Sequence, residues 1–210
     1  MSGVSGAGRL GRPPASDGAQ TRERILTGAR ASFVSRGYDQ TTMKDIAAAA
    51  DMTAGALYHH FDSKQQLFVE IYHQHQASAF EQFEKSVAGA TGFVDQVSSL
   101  LDKAADLHAN DPRLAAFTAV ATIELQRHPE LRELVREDAR TVYRFFERLV
   151  SAHPDEIAGD DREPVINMLV AMFTGFSIFG AGSRNAAAHR DAIEAFKRTL
   201  AGTLLPPAHP

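Results

Sequence analysis

Residues 41–64, TTMKDIAAAADMTAGALYHHFDSK, decide how the rest of this chain is read. Thr42 with Asp45 three residues on makes a capping-box pattern. The hydroxyl can accept an otherwise unpaired backbone N–H, and the carboxylate suits the positive end of a helix dipole. Met43, Ile46, Ala47 and Ala50 make the inner face of that helix. The run Ala47–Ala50 keeps it narrow, so a second helix can cross it closely. Asp51 then occupies a turn position that calls for left-handed backbone, which Asp tolerates in place of Gly. Thr53 caps a third helix, from Ala54 to about residue 60, anchored by Leu57 and Phe61. Ser63 and Gln66 make a second capping box. It opens a longer helix carrying Leu67, Phe68, Ile71, Tyr72, Ala79, Phe80 and Phe83 to about residue 85. Two short helices joined by a tight turn over a seam of small residues form a helix-turn-helix, spanning about 42–61.

Outward from this unit the chain remains helical. Residues 21–36 place Ile25, Leu26, Ala29 and Phe33 on one stripe, and Gly37 follows as a helix terminator. Residues 1–19, rich in Gly, Ser, Ala and Pro, are expected to form a disordered arm. Arg9 and Arg12 beside Pro13-Pro14 suit either a solvated tail or an arm that enters a minor groove. Downstream, helical periodicity covers 93–108, 114–127, 131 to about 152, 164 to about 183, and about 187–204. The breaks fall at 88–92, Asp111-Pro112, His128-Pro129 and the loop 153–163. No stretch alternates like a strand. The expected fold is all-α, with about nine helices. A disordered arm precedes a three-helix helix-turn-helix domain over 20–66, and a C-terminal helical bundle covers 67–205.

Composition narrows the function. With 210 residues, 44% hydrophobic and 23% charged, the chain can bury a real core. It has no cysteine, which excludes disulfides, thiolate metal sites and cysteine nucleophiles. The net charge is −4, unevenly placed: residues 1–64 hold eight cations against six acids, and the remainder is acidic. A basic front on an acidic body suits a front that meets phosphate. The first 20 residues lack an apolar signal region, so a cytoplasmic location is expected. The apolar run 165–181, VINMLVAMFTGFSIFGA, falls short of the roughly 20 residues a spanning helix needs. It reads as a buried core or dimer helix, with no membrane involvement expected. There is no phosphate-binding glycine loop, no GxSxG and no HExxH, so no enzymatic activity and no cofactor is expected. Glu70/His73 and Glu124/His128 are spaced for two metal ligands each, without a third, and no metal is assigned.

The residue types on the outer side of the helix-turn-helix suit DNA. A recognition helix must stand proud of its support to enter the major groove. Thr53, Ala54, Gly55, Tyr58 and His59 fall outside the Leu57–Phe61 anchor. Small residues at the leading edge allow close approach. Thr53 and His59 can bond bases or phosphates, and Tyr58 offers its hydroxyl to phosphate. Thr42 and Lys44 at the start of the second helix, and Lys64 beyond the third, suit the phosphate backbone.

These features resemble the DNA-binding domain of the tetracycline-repressor (TetR) family of regulators. The resemblance is carried by the Arg-bearing first helix ending in Phe33 and Gly37-Tyr38, then by Thr41-Thr42, Asp45-Ile46-Ala47, Ala50 and Thr53. It continues through Gly55-Ala56-Leu57-Tyr58, Phe61, Ser63-Lys64 and Leu67. It covers about residues 20–70, with Asp51 where the family usually has Gly. It implies a homodimeric transcriptional regulator, usually a repressor, binding a palindromic operator in double-stranded DNA and released by an unknown small-molecule effector. The last two helices, about 161–204, would make the dimer interface, and Gly175, Gly180 and Gly182 suit close packing there. A hydrophobic effector would be lined by Leu107, His108, Phe117, Val120, Ile123, Met168, Met172, Phe173 and Phe176. The alternative is a helical small-molecule-binding or interaction protein that does not bind DNA.

Overall fold

Apolar stripes on successive helices meet in two separate places, and the fold follows from that. A computed structural model describes residues 14–182 and 186–204. Among them run ten α-helices and no strand: α1 Pro14–Gln40, α2 Met43–Ala49, α3 Ala54–Tyr58, α4 Lys64–Val87, α5 Phe93–Asn110, α6 Pro112–Arg127, α7 Pro129–Leu134, α8 Arg136–Ser151, α9 Arg162–Gly182 and α10 Ala186–Leu200. A 3-10 turn, Gly159–Asp161, precedes α9.

Among the differences from the sequence expectation, which include the earlier ends of α3 and α10, three have a plain physical reason. The arm does not extend to residue 19, because α1 already begins at Pro14. Proline is favourable at a first helical position, where its fixed φ is pre-organised and its missing N–H has no intrahelical partner to lose. Arg9 and Arg12 lie outside the described residues. The helix expected from residue 131 to about 152 is two helices, α7 and α8, bent at Val135 (φ −104, ψ 15). The bend lets one continuous segment serve two cores, with Leu131 in the first and Phe145, Phe146, Leu149 and Val150 in the second. The third difference is at Ser63. Its hydroxyl accepts from the Gln66 N–H at 3.1 Å, but the Gln66 side chain turns to the Asp62 N–H at 2.8 Å, so the box is displaced by one residue.

The first core gathers Ile25, Ala29 and Phe33 of α1, Ile46 of α2, Leu57 and Phe61 around α3, and Leu67, Phe68 and Ile71 of α4. It does not stop at residue 66, since Phe117 and Ala121 of α6 and Leu131 of α7 belong to it. The helix-turn-helix unit and the helical body therefore share one hydrophobic cluster. The second core lies wholly in the body, between α5, α8, α9 and α10.

The α9 helix is apolar nearly all round. With the preceding turn it is long and apolar enough to cross a membrane by length and composition, at a mean hydropathy of 1.7. One side packs on α6 and α8. The other leaves Met168, Ile178 and Phe179 exposed at 43%, 41% and 48%. Gly175 and Gly182 face open space on that helix, whereas Gly180 faces inward against the rings of His108 and His189. Of the three glycines expected to pack against a partner, Gly180 is therefore taken up by the protomer's own fold.

Candidate nucleic-acid interface

The capping chemistry read from the sequence builds the motif. The Thr42 hydroxyl accepts from the Asp45 N–H at 3.2 Å, and the Asp45 carboxylate accepts from the Thr42 N–H at 2.9 Å and its hydroxyl at 2.6 Å. These bonds, the hydroxyl's first, hold the Asp45 carboxyl below its ordinary pKa. The Thr53 hydroxyl caps α3 through the Ala56 N–H at 3.1 Å. Between the two helices Asp51 has φ 52, the left-handed conformation the turn requires. Replacing Asp51 by Gly is expected to leave stability within about 0.5 kcal/mol, because relief of the left-handed strain is offset by the extra freedom of glycine in the unfolded chain. Asp51→Val should cost about 1–2 kcal/mol, since a β-branched residue tolerates that φ poorly. Thermal denaturation of the pair checks both.

The inner side of the motif is closed and the outer side open. Ile46, Leu57 and Phe61 are fully buried. Thr42, Lys44, Thr53, Gly55, Tyr58 and His59 are exposed, and Ala54 and Lys64 are half-buried. Tyr58 projects most informatively: a tyrosine 53% exposed on a five-residue helix contributes little to the core. Lys64 differs from the others. Its ammonium donates to the Tyr38 carbonyl at 2.7 Å and the Asp39 carbonyl at 3.2 Å, and it stands over the Tyr38 ring. Two of its three donors thus tie the start of α4 to the end of α1, leaving one for a phosphate.

The same 37–39 segment is gripped from the body. Gly37 breaks α1 at φ 75, and Tyr38 donates its N–H to the Glu124 carboxylate of α6 at 3.0 Å. A side chain on Gly37 would meet that carboxylate at 2.9 Å. The His128 Nε2 lies 3.3 Å from Asp39 and 3.5 Å from Glu124, with its Nδ1 2.9 Å from Glu130. Glu124 is only 5% exposed. In the sequence, Glu124 and His128 stand out only as an i,i+4 metal-ligand spacing. Their place at the junction depends on a contact across 86 residues that no local pattern encodes. The other pair also has protein partners: Glu70 meets Arg22 at 3.1 Å, and His73 meets Asp138 at 2.7 Å.

The nine residues expected to line an effector pocket are not all brought together. Phe117 is fully buried in the first core, while Met172, Phe173 and Phe176 pack against the second. Ile123 and Met168 are exposed at 50% and 43%, and Leu107 and Val120 are half-buried. His108 packs against His189 with ring centroids 4.4 Å apart and planes tilted by 43°, and His189 meets the Phe176 carbonyl at 3.1 Å. Burial pushes both imidazoles below their ordinary value of 6.5, and for His189 the neighbouring His108 adds to it. A depressed histidine favours the fold in its neutral form. Its contribution is complete above the ordinary value and is lost as pH falls through the folded value. The melting temperature is therefore expected to fall as pH drops from about 6.5 to about 5, and a His108→Asn, His189→Asn double variant should show a shallower fall. Melting curves across that range check it.

Comparison with known proteins agrees with this arrangement. Residues 25–71 match the family model for bacterial regulatory proteins of the tetR family, and residues 93–205 match that for the C-terminal region of BetI-type transcriptional repressors. The probable acrEF/envCD operon repressor of Escherichia coli K12 is 46% identical over 55 residues, covering 26% of this chain and 25% of that protein. The HTH-type transcriptional regulator UidR of the same strain is 30% identical over 126 residues, covering 60% and 62%. Both alignments span less than two thirds of those relatives. The solved structure of Salmonella enterica GusR superposes with a TM-score of 0.72 at 27% identity, covering 93% of this chain and 98% of that one.

Proposed function

The chain belongs to the tetR family of bacterial regulatory proteins, and from that premise we propose that it is a ligand-responsive, dimeric repressor that reads a palindromic operator through α3. Family membership makes it a transcriptional regulator, not an enzyme. The observation that carries the finer reading is the outward face of α2 and α3, where Thr42, Lys44, Thr53, Gly55, Tyr58 and His59 stand exposed over a closed anchor. Ala54 and Gly55 at the head of α3 keep that end slim enough to approach base edges. The exposed apolar face of α9, Met168, Ile178 and Phe179, supports a dimer formed through about residues 161–204, which would hold two α3 helices at half-site spacing. A small hydrophobic effector is proposed for the body, bounded by the half-buried Leu107, Val120, Met172, Phe173 and Phe176. The cytoplasm is the proposed location.

Selection of bound sequences from random duplex DNA tests this directly. The expected result is an enriched palindrome, bound with a salt slope of about −0.9 for each phosphate neutralised. Lys44→Ala should reduce that slope by about 0.9. Tyr58→Ala should weaken binding roughly tenfold, about 1.4 kcal/mol, without changing the helical circular dichroism. No enriched palindrome together with a slope near zero would favour the reading of a helical binding protein that does not engage DNA.

A further inference from the structure

A buried hydrogen bond joins the end of α1 to the body across 86 residues. The Tyr38 N–H donates to Glu124 Oε1 at 3.0 Å, directly after the break at Gly37. The other oxygen of that carboxylate is buried with no hydrogen-bond partner, and so is the His128 Nε2 that lies 3.5 Å from it. A buried acid served on one side only is a poor stabiliser, and an apolar side chain of its size would carry a smaller desolvation cost. What the carboxylate supplies, and an apolar side chain cannot, is direction.

Other ties between α1 and the body are less directional. Phe33 and Phe117 meet in the shared cluster with centroids 6.5 Å apart, an apolar contact that holds the parts together without fixing an angle. Arg30 to Asp111 at 3.4 Å and Asp39 to His128 at 3.3 Å are long pairs whose acids are partly or largely exposed. Tyr38 itself is fixed to the helix-turn-helix unit. Its carbonyl accepts from the Lys64 ammonium at 2.7 Å, and its ring packs on Phe33 at 5.9 Å and Phe68 at 5.4 Å. Tyr38 therefore moves with α1 and the head of α4, while Glu124 moves with α6. Because α3 packs on α2 and α2 on α1, α3 stands about two helix spacings, ~20 Å, from α1. A swing of about 10° at the Tyr38–Glu124 contact would carry α3 roughly 3.5 Å, about the rise of one base pair.

We propose that Glu124 is a positioning residue for operator recognition. Through the Tyr38 N–H it sets the angle at which the helix-turn-helix unit leaves the body, and hence the half-site spacing that the dimer accepts. This rests on the reading of a dimer on a palindrome. Glu124 is buried, so it acts through Tyr38 and not by touching DNA.

The test is selection from random duplex DNA by the full chain as wild type, Glu124→Met and Glu124→Gln, with half-site spacing read from the enriched sequences. Methionine keeps the unbranched chain and removes the acceptor oxygens, whereas glutamine keeps one oxygen for the Tyr38 N–H. The wild type should prefer one spacing about tenfold or more over those one base pair longer or shorter. In Glu124→Met that preference should fall to about twofold, with the half-site sequence and the salt slope unchanged. Glu124→Gln should keep the wild-type spacing. A merely structural role would lower the melting temperature and leave the spacing alone. Glu124→Leu replaces Glu124→Met should the latter not fold, as judged by helical circular dichroism. A folded variant lacking the acceptor that keeps the wild-type preference overturns the proposal, and so does a Glu124→Gln protein as loose as Glu124→Met. If the wild type enriches no palindrome, the dimer reading fails and this one with it. If it does, and the spacing preference survives loss of the acceptor, this one fails alone.

Discussion

Gly28→Leu is expected to destabilise the protein by about 1–3 kcal/mol and to abolish DNA binding even where the chain remains folded. Gly28 sits on the buried side of α1 where α2 crosses. A Cβ there would stand 3.0 Å from the Ala49 carbonyl carbon, 3.0 Å from the Ala50 nitrogen and 3.2 Å from the Ala49 oxygen. All three are backbone atoms, so no rotamer change relieves the clash, and the two helices must part. The run Ala47–Ala50 is small on its own side for the same reason: the crossing has room for one polypeptide backbone against another and little more. Parting α1 from α2 tilts α2, and through the four-residue connection 50–53 it displaces α3. Chemical denaturation measures the first effect and duplex binding at low temperature the second. A wild-type denaturation midpoint would show that α1 and α2 do not cross as closely as this. Gly28→Ala is the milder control, since alanine's gain of about 1 kcal/mol in helix propensity opposes the smaller clash.

The local signals of the helix-turn-helix could be read in the sequence because each acts within three or four residues. Thr42 with Asp45, Thr53 with Ala56 and the left-handed Asp51 are all local devices, and the structure carries each. Gly28 was not legible. A glycine inside a helical stripe looks like a minor penalty until the partner helix is known, although the run Ala47–Ala50 hints that something must approach closely. The body was read less accurately than the front because its helices are amphipathic toward two cores. Periodicity shows that Phe117, Met172 and Phe173 face inward but not which interior they enter. Leu131 and Phe145 lie on a similar stripe and end in different cores. The junction was the least legible part. The grip of Glu124 and His128 on residues 37–39 joins positions far apart in the chain, and the sequence presents it only as a charged residue and a histidine one turn apart. Lys64 shows a related limit: its position was read as phosphate-facing, and the structure adds two backbone carbonyls that already hold its ammonium.

Phe117→Ala is expected to cost about 3–5 kcal/mol, the usual range for removing a fully buried aromatic ring. For a chain of this size that lowers the melting temperature by roughly 6–20 °C. The ring lies 5.3 Å from Phe68 and 6.5 Å from Phe33, and Phe33 in turn meets Phe68 edge-on at 5.4 Å. Phe117 comes from α6 of the body, whereas Phe33 belongs to α1 and Phe68 to the start of α4. The cavity left by alanine would open inside the cluster that both parts of the chain share, so the helix-turn-helix unit and the body should lose stability together and melt in one transition at the lower temperature. This outcome separates the two roles open to Phe117. If it chiefly lined an effector pocket, Phe117→Ala would keep near wild-type stability and lose only the response to ligand. Ile123→Ala, six residues along the same helix but 50% exposed, supplies the comparison and should stay within about 0.5 kcal/mol of the parent. Calorimetry of the two variants decides it. Two separated transitions in Phe117→Ala, with the body unaffected, would mean that the aromatic cluster does not couple the two parts.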